Sequence, residues 1–270
     1  PSTAENIKRL QSFGNTMIPV GTGELASGLI GEGRMAEPEE ILALLNHSFF
    51  PRRSLQGKKV LVTAGPTYEA IDPVRFIGNY SSGKMGIAVA EELLNQGAEV
   101  FLVLGPVRQE ISSKAIKLTH VTSAEEMYQV CTTIFDNVDM AIMAAAVADY
   151  TPITKSTEKI KKGDEGLRLE LVKTKDILKS LGGRKRKDQV LVGFALETQN
   201  EKEHALEKLQ KKNADMIVMN TLKDEGAGFG YDTNKVTIFL KSGQELSFGV
   251  KSKAEVAKDI VATIITNYYA

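Results

Sequence analysis

The sequence has only one cysteine, Cys131, among its 270 residues. A single cysteine excludes an internal disulfide framework and is typical of proteins in a reducing compartment. Cys131 lies in an apolar helical pattern, which favours a buried core thiol over a nucleophile. The three histidines are not at metal-ligand spacing from one another or from this cysteine, so the sequence predicts no structural zinc site.

The sequence also has no excess of charge and no long apolar run. Its 34 basic residues balance 34 acidic residues, which argues against a nucleic acid or an acidic membrane surface as a partner. No apolar run approaches the roughly 20 residues that cross a bilayer, and the N-terminus has no signal-peptide pattern. We therefore expect a cytoplasmic globular protein with a sizeable core.

Residues 1–50 do not have the pattern of a self-sufficient domain. Five of the thirteen residues in 21–33 are glycine, and such a segment buries little apolar surface. Gly21-Thr-Gly23-Glu-Leu-Ala26 has the form of a dinucleotide-binding fingerprint, but further glycines follow where a helix is required. We interpret the segment as a loop with binding residues or as the tail of a neighbouring domain. The flanking patterns predict a helix over 6–13, a strand over 16–20 and a helix over 37–45.

From residue 58 onward, strand and helix patterns alternate, which predicts an α/β fold with a mostly parallel, Rossmann-like sheet flanked by helices. Two β-rich runs around Lys241-Ser-Gly-Gln244 predict an antiparallel C-terminal β-hairpin at the sheet edge. Continuous apolar runs predict strands over residues 60–64, 100–104, 140–146, 190–196 and 216–219. Helical periodicity predicts helices over residues 84–95, 124–135, 200–212 and 253–265.

One stretch begins as a glycine-punctuated polar loop and continues as an amphipathic helix. The spacing Gly78-x-x-x-x-Gly83-Lys84 matches a phosphate-binding P-loop, except that methionine follows the lysine where Ser or Thr would hold Mg²⁺. The N–H groups at a helix start still favour an anion. The simpler interpretation is that Ser81 and Ser82 only cap the helix. Both interpretations stay open at this point.

The segments that follow the strands are further candidates, because open α/β sheets bind ligands beyond the carboxyl ends of their strands. The first strand leads to Gly65 and a loop of more than a dozen residues, a length that favours function over mere connection. The strand that begins at residue 140 leads through Ala145 and Ala146 to Asp149. Small residues there permit close approach of a planar ligand, with an acid at the lip; an ordinary packed strand end is the alternative.

Two groups of lysines follow. Lys159 begins the basic run KIKK, which comes after Asp149 and could fold over a triphosphate, although such runs are usually only solvated. Lys208 and Lys212 have i,i+4 spacing and share one helix face, whose alternative interpretation is an exposed basic surface. Phe194 lies near the end of the preceding strand, so a flat aromatic ring and two cations could share one pocket.

These segments, in this order, resemble the phosphopantothenoylcysteine synthetase family, the coenzyme A pathway ligases that bacteria often fuse behind a flavin-dependent phosphopantothenoylcysteine decarboxylase. The resemblance covers nearly all of the chain from about residue 58. It is carried by VLVTAGPTYEAIDPVRFIGNYSSGKMG, AAAVADY, EKIKK, GFALET, and KLQKKNADMIVMN followed by GAGFGYDTNKVTI. Several long motifs in one order are far more specific than an isolated glycine pattern.

The resemblance implies a ligation in two steps. The carboxylate of 4′-phosphopantothenate attacks the α-phosphate of CTP to give an acyl-cytidylate and pyrophosphate, and the amine of L-cysteine then displaces CMP. It implies that Mg²⁺ enters on the triphosphate and that the protein is a homodimer, with the C-terminal hairpin as a contributor, or part of a larger assembly in a longer parent protein.

The same resemblance implies roles for individual residues. Asn79 would serve the acyl-cytidylate and its conversion, beside Ser81, Ser82 and Gly83, which would bind the reacting carboxylate and phosphate. Lys159 is predicted to act in catalysis as well as in triphosphate binding. The predicted nucleotide-binding residues are Gly65, Ala145, Ala146, Asp149, Lys159, Phe194, Lys208 and Lys212.

The segment GELASGLIGEGRMAEPEEI resembles the end of the decarboxylase. We therefore predict a decarboxylase remnant and linker over residues 1–50 and a ligase domain over residues 51–270. Ser27 stands where the family has its catalytic cysteine, and a hydroxyl ionises far less easily than a thiol. We expect no decarboxylation by this chain and no bound FMN.

Two hypotheses from other classes remain. An NAD(P)-dependent Rossmann-type oxidoreductase would fit the α/β pattern and the near-fingerprint at Gly21. Against it, the first convincing strand is followed by Gly65-Pro-Thr and not by a glycine-rich turn that opens a helix. A non-catalytic nucleotide-sensing or assembly module would fit the decarboxylase-like tail.

Overall fold

The computed structural model describes residues 2–24, 30–49, 53–111, 113–162, 166–197, 201–221 and 231–269. The chain divides into two compact units, Pro1–Arg52 and Arg53–Ala270. The first unit contains helix α1 (Ser2–Ser12), strands β1 (Gly21–Glu24) and β2 (Ile30–Arg34), and helix α2 (Pro38–Phe49).

The first unit differs from the sequence prediction in its strands. Residues 16–20 form no strand, so that prediction is wrong, and strand pairing begins at Gly21, where β1 pairs antiparallel with β2. An extended segment becomes a strand only where a neighbour offers backbone partners. The two helices appear where their patterns predicted them. Ser27 lies outside the described residues.

The second unit contains the remaining elements. In chain order these are β3 (Lys59–Ala64), β4 (Tyr68–Ala70), β5 (Phe76–Gly78), α3 (Lys84–Asn95), β6 (Glu99–Leu104), β7 (Lys117–His120), α4 (Ala124–Phe135), β8 (Met140–Met143), β9 (Tyr150–Pro152), β10 (Leu171–Lys173), α5 (Ile177–Arg184), β11 (Val190–Glu197), α6 (Glu201–Lys211), β12 (Met216–Thr221), β13 (Thr233–Asn234), β14 (Thr237–Leu240), β15 (Glu245–Ser247), β16 (Lys251–Ser252) and α7 (Lys253–Tyr268).

An eight-stranded sheet forms the centre of this unit, in the order β15-β14-β12-β11-β8-β3-β6-β7. The strands from β12 to β7 are parallel, and β14 and β15 complete one edge as an antiparallel hairpin. The predicted fold class is therefore confirmed. Because β6 and β8 lie on opposite sides of β3, the strand order reverses at β3, and open α/β sheets bind ligands at such a point.

The core lies on both faces of the sheet. Val60 and Val62 of β3 face one cluster, which includes residues of α3 and α7, whereas Leu61 faces another, which includes residues of α4 and α5. Burial on both faces explains the continuous apolar runs, and each fully buried Val or Leu side chain contributes about 1.5–3 kcal/mol. Cys131 is completely buried in α4, and burial raises the pKa of its thiol to about 12.

In the second unit one predicted strand needs correction and one helix was missed. The strand predicted over 140–146 ends at Met143, because the chain then leaves the sheet and only Ala146 forms a further bridge, to Pro66. Helix α5 was not predicted, because it has eight residues and ends in Gly182, Gly183 and Arg184.

Helix α5 meets the chain at the end of α6 through Gly182. A Cβ atom on Gly182 would lie 1.8 Å from the carbonyl oxygen of Lys212, so only glycine fits. Asn213 Nδ2 donates to the Gly182 carbonyl oxygen at 2.9 Å. The neighbouring Gly183 is exposed and has no atom within 4 Å of a Cβ position. Gly183 is therefore a matched control for a substitution at Gly182.

We expect Gly182→Ala to lower the free energy of unfolding by about 1–3 kcal/mol, because the methyl group forces two backbones apart. Gly183→Ala should raise it by up to about 1 kcal/mol, since alanine is the better helix former. Urea denaturation of both variants measures the difference. Equal effects would contradict the close contact.

Candidate functional site

The segments that follow β3 and β8 stay paired beyond the ends of their strands. Ala146 N donates to the carbonyl oxygen of Gly65 at 2.9 Å, and Ala145 N donates to Thr63 Oγ1 at 3.2 Å. Gly65 has φ of +80°, a conformation that favours glycine. Three residues predicted from the sequence, Gly65, Ala145 and Ala146, therefore lie side by side where the strand order reverses.

A cleft of about 530 Å³ opens beside the alanine segment. Four lysines and two aspartates line it, so the charged groups favour an anionic ligand. The lining includes five residues predicted from the sequence, Ala145, Asp149, Phe194, Lys208 and Lys212. It also includes charged residues that sequence reasoning missed, Lys173, Lys175 and Asp176.

The two predicted lysines at α6 are both held by contacts in the cleft. Lys208 Nζ donates to the carbonyl oxygen of Phe194 at 2.8 Å. Lys212 Nζ pairs with the carboxylate of Asp176. The structure thus brings the aromatic ring and both cations to one cleft, as their spacing predicted.

Asp176 has two roles in this arrangement. It is the N-cap of α5, where its carboxylate accepts from Lys179 N at 2.8 Å, and it is the partner of Lys212. Burial by itself would raise the pKa of Asp176, but the hydrogen bonds from Lys212 and Lys179 and the nearby charge of Lys208 outweigh it and lower the pKa. An aspartate before an apolar run is an N-cap signal that could have identified this residue.

A smaller cavity of about 140 Å³ adjoins the cleft and shares Ala145 and Phe194 with it. Ser81, Ser82 and Gly83 line its other side. Gly83 is the N-cap of α3, with φ of 74° and no side-chain cap, so the interpretation that the serines cap this helix is wrong. Ser81 Oγ instead accepts from Gly83 N at 3.4 Å. The start of α3 is therefore available to an anion.

Three predicted residues, Gly65, Asn79 and Lys159, lie outside both linings. Asn79 Nδ2 donates to the carbonyl oxygens of Ala146 at 3.3 Å and Val147 at 3.0 Å, so Asn79 binds the alanine segment from beside the cavities. Lys159 is exposed and is not among the described residues that line either cavity. Its place is set by its neighbour Ile160, which is described below.

The described residues contain neither a metal-binding cluster nor a membrane-spanning helix. Within those ranges, no group of three or more His, Cys, Asp or Glu side chains is placed to hold a metal ion. Nor does any helix there have the length and apolar character needed to cross a membrane.

A family model described as the DNA/pantothenate metabolism flavoprotein C-terminal domain matches residues 55–268. The chain belongs to this family. The fold and the motif order agree with that assignment, and the resemblance stated from the sequence is confirmed.

Two relatives of this flavoprotein C-terminal domain cover nearly the whole chain. A protein named cysteine/cysteine sulfinic acid decarboxylase, from an unknown prokaryotic organism, is 52% identical over 98% of this chain and 75% of its own length. The coenzyme A biosynthesis bifunctional protein CoaBC of Bacillus subtilis strain 168 is 46% identical over 98% of this chain and 65% of its own length. The chain thus spans about two thirds of the CoaBC relative.

Two solved structures have the same fold. The C-terminal domain of a CoaBC protein has 43% sequence identity and a TM-score of 0.68, covering 79% of this chain and 97% of that domain. A histidine-to-alanine variant of Cab2, solved in complex with phosphopantothenate-cysteine, has 18% identity and a TM-score of 0.60, covering 84% and 94% of the two chains. At that identity Cab2 shows the fold alone.

The oxidoreductase hypothesis has no support in these findings. Its near-fingerprint begins in β1, which pairs antiparallel with β2, whereas a dinucleotide-binding fingerprint follows a strand of a parallel sheet. The family assignment also points away from it.

We expect Asp176→Ala to lower the free energy of unfolding by about 1 kcal/mol through loss of the N-cap. Asp176→Ser keeps a capping oxygen and removes only the charge that pairs with Lys212, so it should be the milder change. Because the folded pKa of Asp176 lies below its ordinary value of 3.8, the charge contributes stability above that pH. This contribution is lost as pH falls through the folded pKa.

Urea denaturation of the wild type and both variants between acidic and neutral pH measures these two contributions. The advantage of the wild type over Asp176→Ser should shrink on acidification. A difference that stays constant with pH would mean that the charged pair adds no stability.

Proposed function

We propose that this chain is a ligase of coenzyme A biosynthesis that joins 4′-phosphopantothenate to L-cysteine, with CTP as the activating nucleotide. The observation that carries the proposal is the lysine-lined cleft at the reversal of strand order, joined through Ala145 and Phe194 to the cavity at the start of α3. The two connected spaces suit a nucleotide and the acid that it activates. The CoaBC relatives, which are named as coenzyme A biosynthesis proteins, support the same activity.

Within this proposal the large cleft takes the nucleotide. Lys208 and Lys212 neutralise triphosphate charge, and the Phe194 ring packs beside the base. The small side chains of Ala145 and Ala146 allow the ribose and base to approach the backbone, with Asp149 at the rim. Binding of the triphosphate exchanges the Asp176 carboxylate for phosphate oxygens at Lys212.

The chemistry needs positioning more than a protein nucleophile, because the substrates supply both attacking groups. A carboxylate oxygen of 4′-phosphopantothenate bonds to the α-phosphorus as the bond to pyrophosphate breaks. The amine of L-cysteine then attacks the acyl carbon, the carbon–oxygen bond to CMP breaks, and the amine loses a proton. Asn79, Ser81, Ser82 and Gly83 hold the acyl-cytidylate between these steps.

Mg²⁺ belongs to the substrate in this proposal. Mg²⁺ keeps several waters and binds substrate phosphates with few protein carboxylates, so it would enter with the triphosphate. Asp149 and Asp176 are the carboxylates that line the cleft. We assign neither as a metal ligand.

The remaining assignments extend the proposal to the whole chain. Residues 1–50 would be the end of a decarboxylase with its linker and residues 51–270 the ligase domain, in support of which the CoaBC relative aligns over nearly the whole chain. We propose a homodimer to which the edge hairpin of β14 and β15 contributes. With Ser27 in the position of the family's cysteine, the chain itself would bind no FMN and release no CO₂.

The experiment that tests the function is pyrophosphate release from CTP in the presence of 4′-phosphopantothenate and Mg²⁺. Added L-cysteine should then yield CMP and the ligated product in equal amounts. Parallel reactions with ATP test nucleotide choice, and CO₂ release from cysteine tests the activity named for the first relative. Absence of any nucleotide-dependent product would overturn the proposal.

Two neighbouring lysines, one in the cleft and one outside it, test whether the cleft is the nucleotide-binding site. Lys212 lines the cleft, whereas Lys211 is exposed and pairs with Glu207 on the surface of α6. Lys212→Ala should raise the KM for CTP by about tenfold, as loss of a charged contact to a phosphate does. Lys211→Ala should leave the KM unchanged. Equal responses would place the nucleotide elsewhere.

We expect Asn79→Asp to form acyl-cytidylate and to stall before L-cysteine reacts. Aspartate cannot donate to the Ala146 and Val147 carbonyl oxygens, and its negative charge would disturb the intermediate beside them. Quenched reactions analysed by mass spectrometry measure the accumulated intermediate. Normal turnover by a folded Asn79→Asp variant would remove Asn79 from the mechanism.

A further inference from the structure

The long loop between β3 and α3 contains a buried carboxylate that contacts a distant part of the chain. The Asp72 side chain is completely buried. Its Oδ1 accepts from Val74 N and Arg75 N, each at 2.8 Å, which closes the local turn. Its Oδ2 accepts from Ile160 N at 3.2 Å. Asp72 thus joins its own loop to the residue that follows Lys159.

Arg75 completes the attachment from the same loop. Its Nη1 pairs with Asp72 Oδ2 at 3.3 Å, and its Nη2 donates to the carbonyl oxygen of Ile160 at 3.2 Å. Both backbone groups of Ile160 are therefore bound by this pair of side chains. Ser156 N also donates to the carbonyl oxygen of Ile71 at 2.9 Å. The segment before Lys159 is docked on the loop as well.

The electrostatics of Asp72 fit this role. Burial would raise the pKa of its carboxyl group, but three backbone N–H groups and the Arg75 charge outweigh burial and lower the pKa. The carboxylate is consequently ionised at neutral pH. An ionised acceptor makes stronger hydrogen bonds with backbone N–H groups than a neutral one.

A second buried carboxylate on the same loop serves a different part of the fold. Glu69 is 2% exposed, and its Oε1 accepts from Ala124 N at 2.8 Å, at the start of α4. Its contact holds α4 against the loop and does not involve Ile160. Glu69 therefore provides a matched control for Asp72.

We propose that Asp72 is a positioning residue for Lys159, acting through the backbone of Ile160. The inference rests on the proposed function and adds to it the sequence prediction that Lys159 binds the triphosphate. One loop then serves both predicted catalytic residues, since it ends in Asn79 and anchors the segment that carries Lys159. A lysine on a docked backbone loses less conformational entropy when it binds a phosphate than one on a freely moving segment.

The docking itself can be measured without any substrate. Hydrogen exchange of peptides that cover residues 156–162 should be at least about tenfold faster in Asp72→Asn than in the wild type, because the protecting contacts are weakened. Arg75→Lys should have the same direction of effect. Glu69→Gln should leave this exchange unchanged. Unchanged exchange in a folded Asp72→Asn variant would overturn the proposal.

The link to Lys159 is tested by a double-mutant cycle on pyrophosphate release. Asp72→Asn should raise the KM for CTP by about tenfold while the KM for 4′-phosphopantothenate stays the same. In the Lys159→Ala background, Asp72→Asn should raise the KM for CTP by less than about twofold, because the effects of coupled residues are not additive. Glu69→Gln should change the KM for CTP by the same factor in the wild-type and Lys159→Ala backgrounds.

The outcomes separate this inference from the proposed function. If the wild type is active and the increases in the KM for CTP caused by Asp72→Asn and Lys159→Ala multiply in the double variant, the two residues act independently. The positioning role is then wrong and the ligase function stands. If the wild type releases no pyrophosphate, the ligase function fails, and with it the link to a triphosphate. In that case the positioning role is overturned even if the docking of Ile160 is measured.

Discussion

The pairing of the residues that follow β3 with those that follow β8 holds the candidate site together. Within the sheet, β3 and β8 are neighbouring parallel strands. Beyond their ends, Pro66 bridges Ala146, and Thr67 Oγ1 accepts from Ala148 N at 2.9 Å. The chain after β6 approaches Pro66 as well, and a Cβ atom on Gly105 would lie 1.8 Å from the Pro66 carbonyl oxygen, so only glycine fits there. The cleft and the cavity both depend on this pairing.

The sheet and the long helices could be predicted from the sequence because their signals are local. The runs at 60–62 and 100–104 are apolar without interruption, since both faces of these strands are covered, and helices α3 and α4 have regular apolar periodicity. The short pairs β4–β5, β9–β10 and β13–β16 could not be predicted. Each has two or three residues per strand, and such strands form only where tertiary contacts bring a partner.

The candidate site shows the same division. Lys208, Lys212 and Phe194 could be placed in one pocket from i,i+4 spacing and strand order, and all three line the cleft. Lys175 could not, because it precedes the unpredicted helix α5, and the N-cap signal of Asp176 would not have placed it beside Lys212. The position of Lys159 was predicted only as a segment near Asp149, since its attachment depends on Asp72, far away in sequence. Local periodicity identifies faces, whereas long-range hydrogen bonds decide which loops meet.

The burial of Cys131 has a consequence for a protein that would handle cysteine and a thiol product. With its pKa raised to about 12, the Cys131 thiol has almost no thiolate at neutral pH, and disulfide exchange requires a thiolate. Since it is the only cysteine in the chain, the enzyme would not form mixed disulfides with its own substrate. The same property makes the chain a low-background host, in which one added surface cysteine would accept a fluorophore or spin label at a single place.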